Sequence, residues 1–172
     1  MNDRTDRPVV CLPSSALTLL SRRCSELGSN GVRAMREAGY RAGADLFTSL
    51  DELPDRLPAS SFWRAVDGSI RKLGLGSIAF ETVSPGIGAV AWEGSPEADG
   101  PGSETPRARC HLVAGLLGGV LSRAAGRTVA IYEARCRAGE SGPCWFLVGT
   151  RDHLREVHQF ATDGSLRSVL GP

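Results

Sequence analysis

Residues 132–146 read YEARCRAGESGPCWF. Two thiols, Cys136 and Cys144, stand on either side of a turn containing Gly, Ser and Pro, and an acid, Glu133, precedes the first by three residues. Strands joined by that turn bring the sulfurs near each other, which serves a disulfide, a redox pair or part of a metal site. Glu133 and Cys136 start on opposite faces of a regular strand, because side chains alternate. Only a bulge or twist near the strand end puts them on one side. A third thiol, Cys110, opens a glycine-rich helical stretch, where the positive end of the helix dipole favours thiolate. Closed zinc sites take four ligands, mostly thiolate and imidazole, with carboxylate allowed. Cys110, Glu133, Cys136 and Cys144 make up such a set. Plain burial as small apolar side chains accounts for the cysteines as well, so both readings stand at this point.

The elements that must position these groups follow from the pattern of the chain. Ser14 or Ser15 caps a first helical stretch in which Leu17, Leu20, Cys24 and Leu27 recur at helical spacing. The sequence GSNG at 28–31 breaks it, and the helix resumes through Met35 to Leu50. A connector with two prolines leads to a helix with Phe62, Val66, Ile70 and Leu73 on one stripe, ended by Gly74 and Gly76. Two alternating segments, SIAFETVS and IGAVAWEGS, then form a hairpin about a Pro-Gly turn. Residues 94–109 read as a loop. The stretch CHLVAGLLGGVLSRAAG is a helix closed by Gly126, and its Gly115, Gly118 and Gly119 let another backbone approach closely. A second hairpin carries Cys136 and Cys144. A last helix follows, with Asp152 as its cap and Leu154, Val157 and Phe160 inward. This order predicts an α+β domain, an antiparallel sheet of two hairpins with helices packed on it. The reading is one domain over 1–172: a flexible start at 1–8, a helical part at 9–76, a hairpin-helix-hairpin part at 77–149, and a C-terminal helix and tail at 150–172.

Composition narrows the function. The chain has 172 residues, enough for one domain with a core of its own. Its 20 Lys and Arg nearly cancel 19 Asp and Glu, and aromatics are few, which speaks against nucleic acid as a partner. The start, MNDRTDRP, lacks the basic-then-apolar order of a secretory leader, and HLVAGLLGGVL is too short to span a bilayer. A cytoplasmic protein is expected, and in reducing cytosol its five cysteines favour metal ligation or burial over disulfides. The glycines around Gly74 are not followed by the Lys-Ser/Thr of a phosphate loop, and no Ser-His-Asp arrangement stands out. His153 and His158 lie five apart, which is not one-face helical spacing. Cys11 and Cys24 read as buried spectators. No enzyme is expected.

The run from Cys110 to Gly149, with its glycine-rich helix, G-R-x-V-x-x-x-E-x-x-C and C-x-F, resembles the C-terminal half of the 4-vinyl-reductase-type domain. That family is related to the sensor domains of aromatic-responsive regulators and to subunits of the TRAPP vesicle-tethering complex. The stretch WEGSPEADG at 92–100 is similar to the W-x-x-S-x-E-A stretch of those sensors. The resemblance implies a TRAPP-subunit-like fold and a structural zinc held by Cys110, Glu133, Cys136 and Cys144. It also implies a homodimer through the N-terminal helices. In the sensors a Trp and a His hold the hydroxyl of an aromatic ligand. Trp92 falls on that Trp, and no His of this chain matches the other. The strand pattern adds Phe80, and more remotely Trp63, as ligand-lining residues, with Ile78, Phe80, Val90 and Trp92 on the interior faces of their strands. The function expected is a stand-alone zinc-containing sensor for a small hydrophobic or aromatic molecule, working through a separate output protein. A protein-assembly module and an accessory or enzyme of tetrapyrrole vinyl reduction are the rivals.

Overall fold

The computed structural model describes residues 12–50, 58–98, 110–137 and 142–155. Cys11, His158, the far part of the 94–109 loop and the C-terminal tail lie outside the described residues.

The element order is α1 (Ser14–Glu26), α2 (Ser29–Ser49), α3 (Ala59–Lys72), β1 (Ser77–Ser84), β2 (Ile87–Glu93), α4 (His111–Ala125), β3 (Ala130–Arg135) and β4 (Cys144–Gly149). A further helical turn begins at 151. The α+β architecture expected from the sequence is therefore present. All pairings are antiparallel, and the two hairpins join through their second strands to give the order β1-β2-β4-β3. That join buries the middle of the sheet. Val90 and Trp92 of β2 and Phe146 of β4 are fully buried on the helix-bearing face. Ile87, Ala89 and Leu147 form a second cluster with Leu154. Ile78 and Phe80 pack with Val90 and Trp92, as strand alternation requires.

The break between α1 and α2 is Gly28, at φ 70, a backbone conformation that side-chain-bearing residues seldom adopt. Helix α4 is the centre of the molecule. Val113, Leu117 and Val120 share one apolar cluster with Val66 and Ile70 of α3 and Phe146 of β4. Its other side meets α2 almost backbone to backbone. A Cβ on Gly115 would sit 2.2 Å from the Arg36 carbonyl oxygen, and one on Gly119 would sit 2.1 Å from that of Tyr40. In return, a Cβ on Gly39 or Gly43 of α2 would sit 2.0 or 2.1 Å from the carbonyl oxygen of Leu112 or Leu116. The small residues of α2 thus serve contact within the chain. Gly126 closes α4 in the left-handed conformation, and Ser122 Oγ accepts the Val129 amide at 2.9 Å to turn the chain into β3.

Three local expectations differ in detail. Leu17 and Cys24 of the α1 stripe are half-buried, whereas Leu20 and Leu27 face outward together with Leu12 and Leu19. Leu73 is exposed at the end of α3, where Leu75 packs on the core instead. The cap of the last helical turn is Thr150, not Asp152. Thr150 Oγ1 accepts the His153 amide at 3.3 Å, and its carbonyl accepts that of Leu154 at 3.0 Å.

Candidate functional site

The ligand atoms of Cys110, Glu133, Cys136 and Cys144 all lie within 4.8 Å of one another. Three elements bring them together. Cys110 is the N-cap of α4, Cys144 opens β4, Glu133 lies in β3 and Cys136 follows its last residue. The obstacle posed by strand alternation is removed by a bulge. Glu133 pairs with Phe146, but the next pairing is Arg135 with Trp145, so one residue of β3 is extra. Continuing that register sets Cys136 against Cys144, and Glu133 and Cys136 share the face that meets α4.

The sulfur of Cys110 lies 3.6 Å from that of Cys144 and 3.9 Å from that of Cys136. Bonded sulfurs stand about 2.0 Å apart, so these are free thiols. Thiolates about 2.3 Å from a tetrahedral zinc stand roughly 3.8 Å apart, which is the spacing found. The surroundings complete a cradle. Glu133 Oε2 accepts the Cys110 amide at 3.2 Å, while Oε1 is buried with no hydrogen-bond partner among the described residues. The Arg137 amide donates to Cys144 Sγ at 3.3 Å, and Ser95 Oγ touches Cys110 Sγ at 3.5 Å. Burial, reinforced by the Cys136 sulfur, pushes the Glu133 carboxyl up to about 8. A hydrogen bond from Cys110 holds the Cys144 thiol well below the ordinary thiol range, and the same pairing with Cys136 and Cys144 drives Cys110 up. Without a cation, burial thus keeps Glu133 and Cys110 protonated, and a cation would let both act as anionic ligands. An orphaned carboxylate oxygen aimed among three thiols fits a thiophilic divalent ion.

The start of α4 is held by a residue whose role sequence reading missed. Glu97 is 5% exposed, and its carboxylate accepts the amides of Leu112 at 3.1 Å and Val113 at 2.9 Å, which caps α4 from 15 and 16 residues upstream. It also accepts the Ser21 hydroxyl of α1 at 2.8 Å, and Thr18 donates to the Pro96 carbonyl beside it. The W-x-x-S-x-E-A stretch held the signal. Its Ser meets the Cys110 sulfur and its Glu caps the helix that carries Cys110.

Burial holds the Glu97 carboxyl above the ordinary range, against the pull of the Val113 and Leu112 amides and Ser21. An acid raised in the folded state contributes stability that is complete below its unfolded value of 4.5 and lost as pH rises through the folded value. Glu97→Ala is expected to cost about 2–3 kcal/mol by leaving buried donors unpaired. In urea titrations the margin of the natural protein over this variant should widen as pH falls from neutrality toward 4.5. A margin that narrows over that window means the carboxyl is not raised.

The expected ligand-lining residues share the apolar cluster that holds Cys110 and Cys144, and Trp92 is the cross-strand partner of Cys144. Trp92 is fully buried, and its indole N–H, expected to be available to a ligand, donates to the Leu75 carbonyl at 2.8 Å. Phe80 and Trp63 stack at 4.3 Å, with Phe62 edge-on to Trp63 at 5.4 Å, and all three are half-buried at the seam between α3 and β1. The Phe80 ring occupies the space that a side chain on Gly88 would need.

No protein-family model matches the chain. No curated protein matches it either. Solved structures do. The phenol-responsive sensory domain of the transcription activator PoxR, solved with phenol, is 17% identical, with a TM-score of 0.69 over 87% of this chain and 82% of that one. A trafficking protein particle complex subunit 3 from Naegleria fowleri, covalently bound to palmitic acid, is 14% identical, with a TM-score of 0.52 over 79% and 93%. An H-NOX domain from Shewanella oneidensis in an Fe(II)CO state is 17% identical, with a TM-score of 0.50 over 87% and 83%. At these identities the likeness is one of fold: the chain has the α+β architecture found in a sensory domain and in a trafficking-complex subunit.

Proposed function

We propose that this chain is a zinc-containing, small-molecule-binding sensory domain for a hydrophobic or aromatic ligand, passing its state to a separate output protein. The observation that carries the reading is the convergence of three thiols and an orphaned carboxylate on a fold shared with a phenol-responsive sensory domain. Zinc suits soft thiolates, and four protein ligands leave no open position, so the ion is structural. The domain binds rather than catalyses. Free clustered thiols suit a reducing, cytoplasmic setting, and among the described residues no helix is long and apolar enough to cross a membrane.

The ligand lies against the half-buried Phe62, Trp63 and Phe80, with the Trp92 ring behind them. Since the Trp92 donor is engaged, an apolar or weakly polar aromatic suits the seam better than a phenol needing two polar partners. The protein pairs as a homodimer through α1, which exposes Leu19 and Leu20 at 48 and 50%, flanked by Leu12 and Leu27 at 58 and 74%. The same exposed leucines favour one second reading, a protein-assembly module related to the trafficking subunits.

Native mass spectrometry of protein purified without chelators tests these together. One zinc per chain, a dimer mass and a retained small apolar molecule are expected. Absence of metal, before and after reconstitution, rejects the zinc centre. A dimer with zinc but no ligand, recovered in larger complexes, supports the assembly module instead. Turnover of a vinyl tetrapyrrole would revive the reductase reading that the 4-vinyl-reductase resemblance raises.

A further inference from the structure

The four candidate ligands differ in how open they are. Cys110 and Cys144 are fully buried, and Glu133 is 7% exposed. Cys136 alone of the four is half-buried, just beyond the bulge at the end of β3. The buried sulfurs also carry polar contacts, the Arg137 amide on Cys144 and the Ser95 hydroxyl against Cys110. Hydrogen bonds to a thiolate draw off the electron density with which it attacks. The most open residue of the centre is therefore Cys136, whose sulfur lies 3.9 Å from that of Cys110.

We propose that Cys136 is a modification site, the thiolate through which a hydroperoxide oxidises the centre, with Cys110 as the resolving thiol and release of the metal as the outcome. The proposal rests on the zinc reading above. In the first step the Cys136 sulfur attacks the distal peroxide oxygen, the O–O bond breaks, and hydroxide (or alkoxide, from an organic hydroperoxide) leaves, giving sulfenic acid once protonated. In the second step the Cys110 thiolate attacks the Cys136 sulfur, the S–O bond breaks, and hydroxide leaves. Two sulfurs are oxidised by one electron each, and the peroxide takes up both electrons. The ion has then lost two of four ligands and departs as the divalent cation. Cys110 cannot be the entry point, because no path to solvent reaches a fully buried sulfur. It is the resolving thiol because it is within 4 Å of the exposed one. The disulfide keeps β3 joined to the start of α4 and frees β4 at Cys144, so oxidation loosens one side of the centre selectively.

The test uses the zinc-loaded protein, hydrogen peroxide and a chromogenic zinc chelator. Release of one zinc for each pair of thiols lost is expected, with a Cys110–Cys136 disulfide in the peptide map. Before oxidation, limiting N-ethylmaleimide should label Cys136 ahead of Cys110 and Cys144. In samples quenched early, a sulfenic-acid trap (dimedone) should mark Cys136 ahead of Cys110 and Cys144. Zinc retained by the oxidised natural protein, a Cys110–Cys144 disulfide, labelling of Cys136 last, or trapping of sulfenic acid on Cys110 or Cys144 first each overturns the proposal while leaving the zinc centre standing. Failure to bind zinc at all overturns both.

Discussion

Cys144→Ala is expected to empty the protein of zinc and to lower its unfolding midpoint by on the order of 10–20 °C, with a matching loss on treating the natural protein with a strong chelator. The size follows from what the centre joins. Cys110 precedes α4, Glu133 lies in β3 with Cys136 just after it, and Cys144 begins β4, so one ion ties three elements near their ends. Glu97 also holds the start of α4, but it reaches neither strand. Removing one ligand leaves the others as a buried cluster of like charge, which must take up protons or open. A structural zinc contributes several kcal/mol to small domains, and for a chain of this size each kcal/mol is worth about 2–4 °C. Zinc analysis and thermal circular dichroism read the result. A variant that melts within a few degrees of the natural protein, still folded and without metal, would show that the thiols are only packed side chains.

Gly119→Ala and Gly118→Ala, one residue apart on α4, are expected to differ in sign. At Gly119 the new methyl would meet the Tyr40 carbonyl oxygen at 2.1 Å and the Ala44 amide nitrogen at 2.8 Å. Both are backbone atoms of α2, and neither can rotate away. The helices must separate, and the cost is about 3 kcal/mol or more. At Gly118 the methyl would sit 3.6 Å from side-chain atoms of Ile131 and Tyr40, an ordinary contact. There the gain in helix propensity prevails, worth up to about 1 kcal/mol in favour of the variant. Denaturant midpoints for the pair test the α2–α4 seam directly. Equal losses at both positions would mean that the helices do not approach as closely as described.

Much of this was legible before any coordinates. Helix α4 announced itself by its apolar run and its closing Gly126, and the hairpins by alternation and the Pro-Gly turn. What local pattern could not supply were facts that depend on partners distant in sequence. The order β1-β2-β4-β3 depends on which hairpin edges meet, and four alternating segments allow several answers. The bulge after Glu133 was required by the metal reading but had no signature of its own in EARC. Glu97 gives no capping signal in the sequence, because a cap is ordinarily the residue just before the helix and this one acts from across a loop. Trp92 was read as facing the interior, which it does. That its N–H is engaged follows from Leu75, whose carbonyl position no strand pattern reveals.

The inner face of α1 has one further consequence. Its fully buried contact is a serine hydroxyl on a carboxylate, supported by a threonine on a carbonyl, while Leu17 and Cys24 are only half-buried and Leu19 and Leu20 look outward. Lifting this helix from the body therefore exposes less apolar surface than lifting α4. Such an opening carries a small heat-capacity change and a small denaturant dependence. It is accordingly decoupled from global unfolding: α1 can leave and return at temperatures where the rest of the domain is untouched. A partner that grips the outer leucines would thus move a lever whose far end is Glu97, and through it the first turn of the helix that carries Cys110.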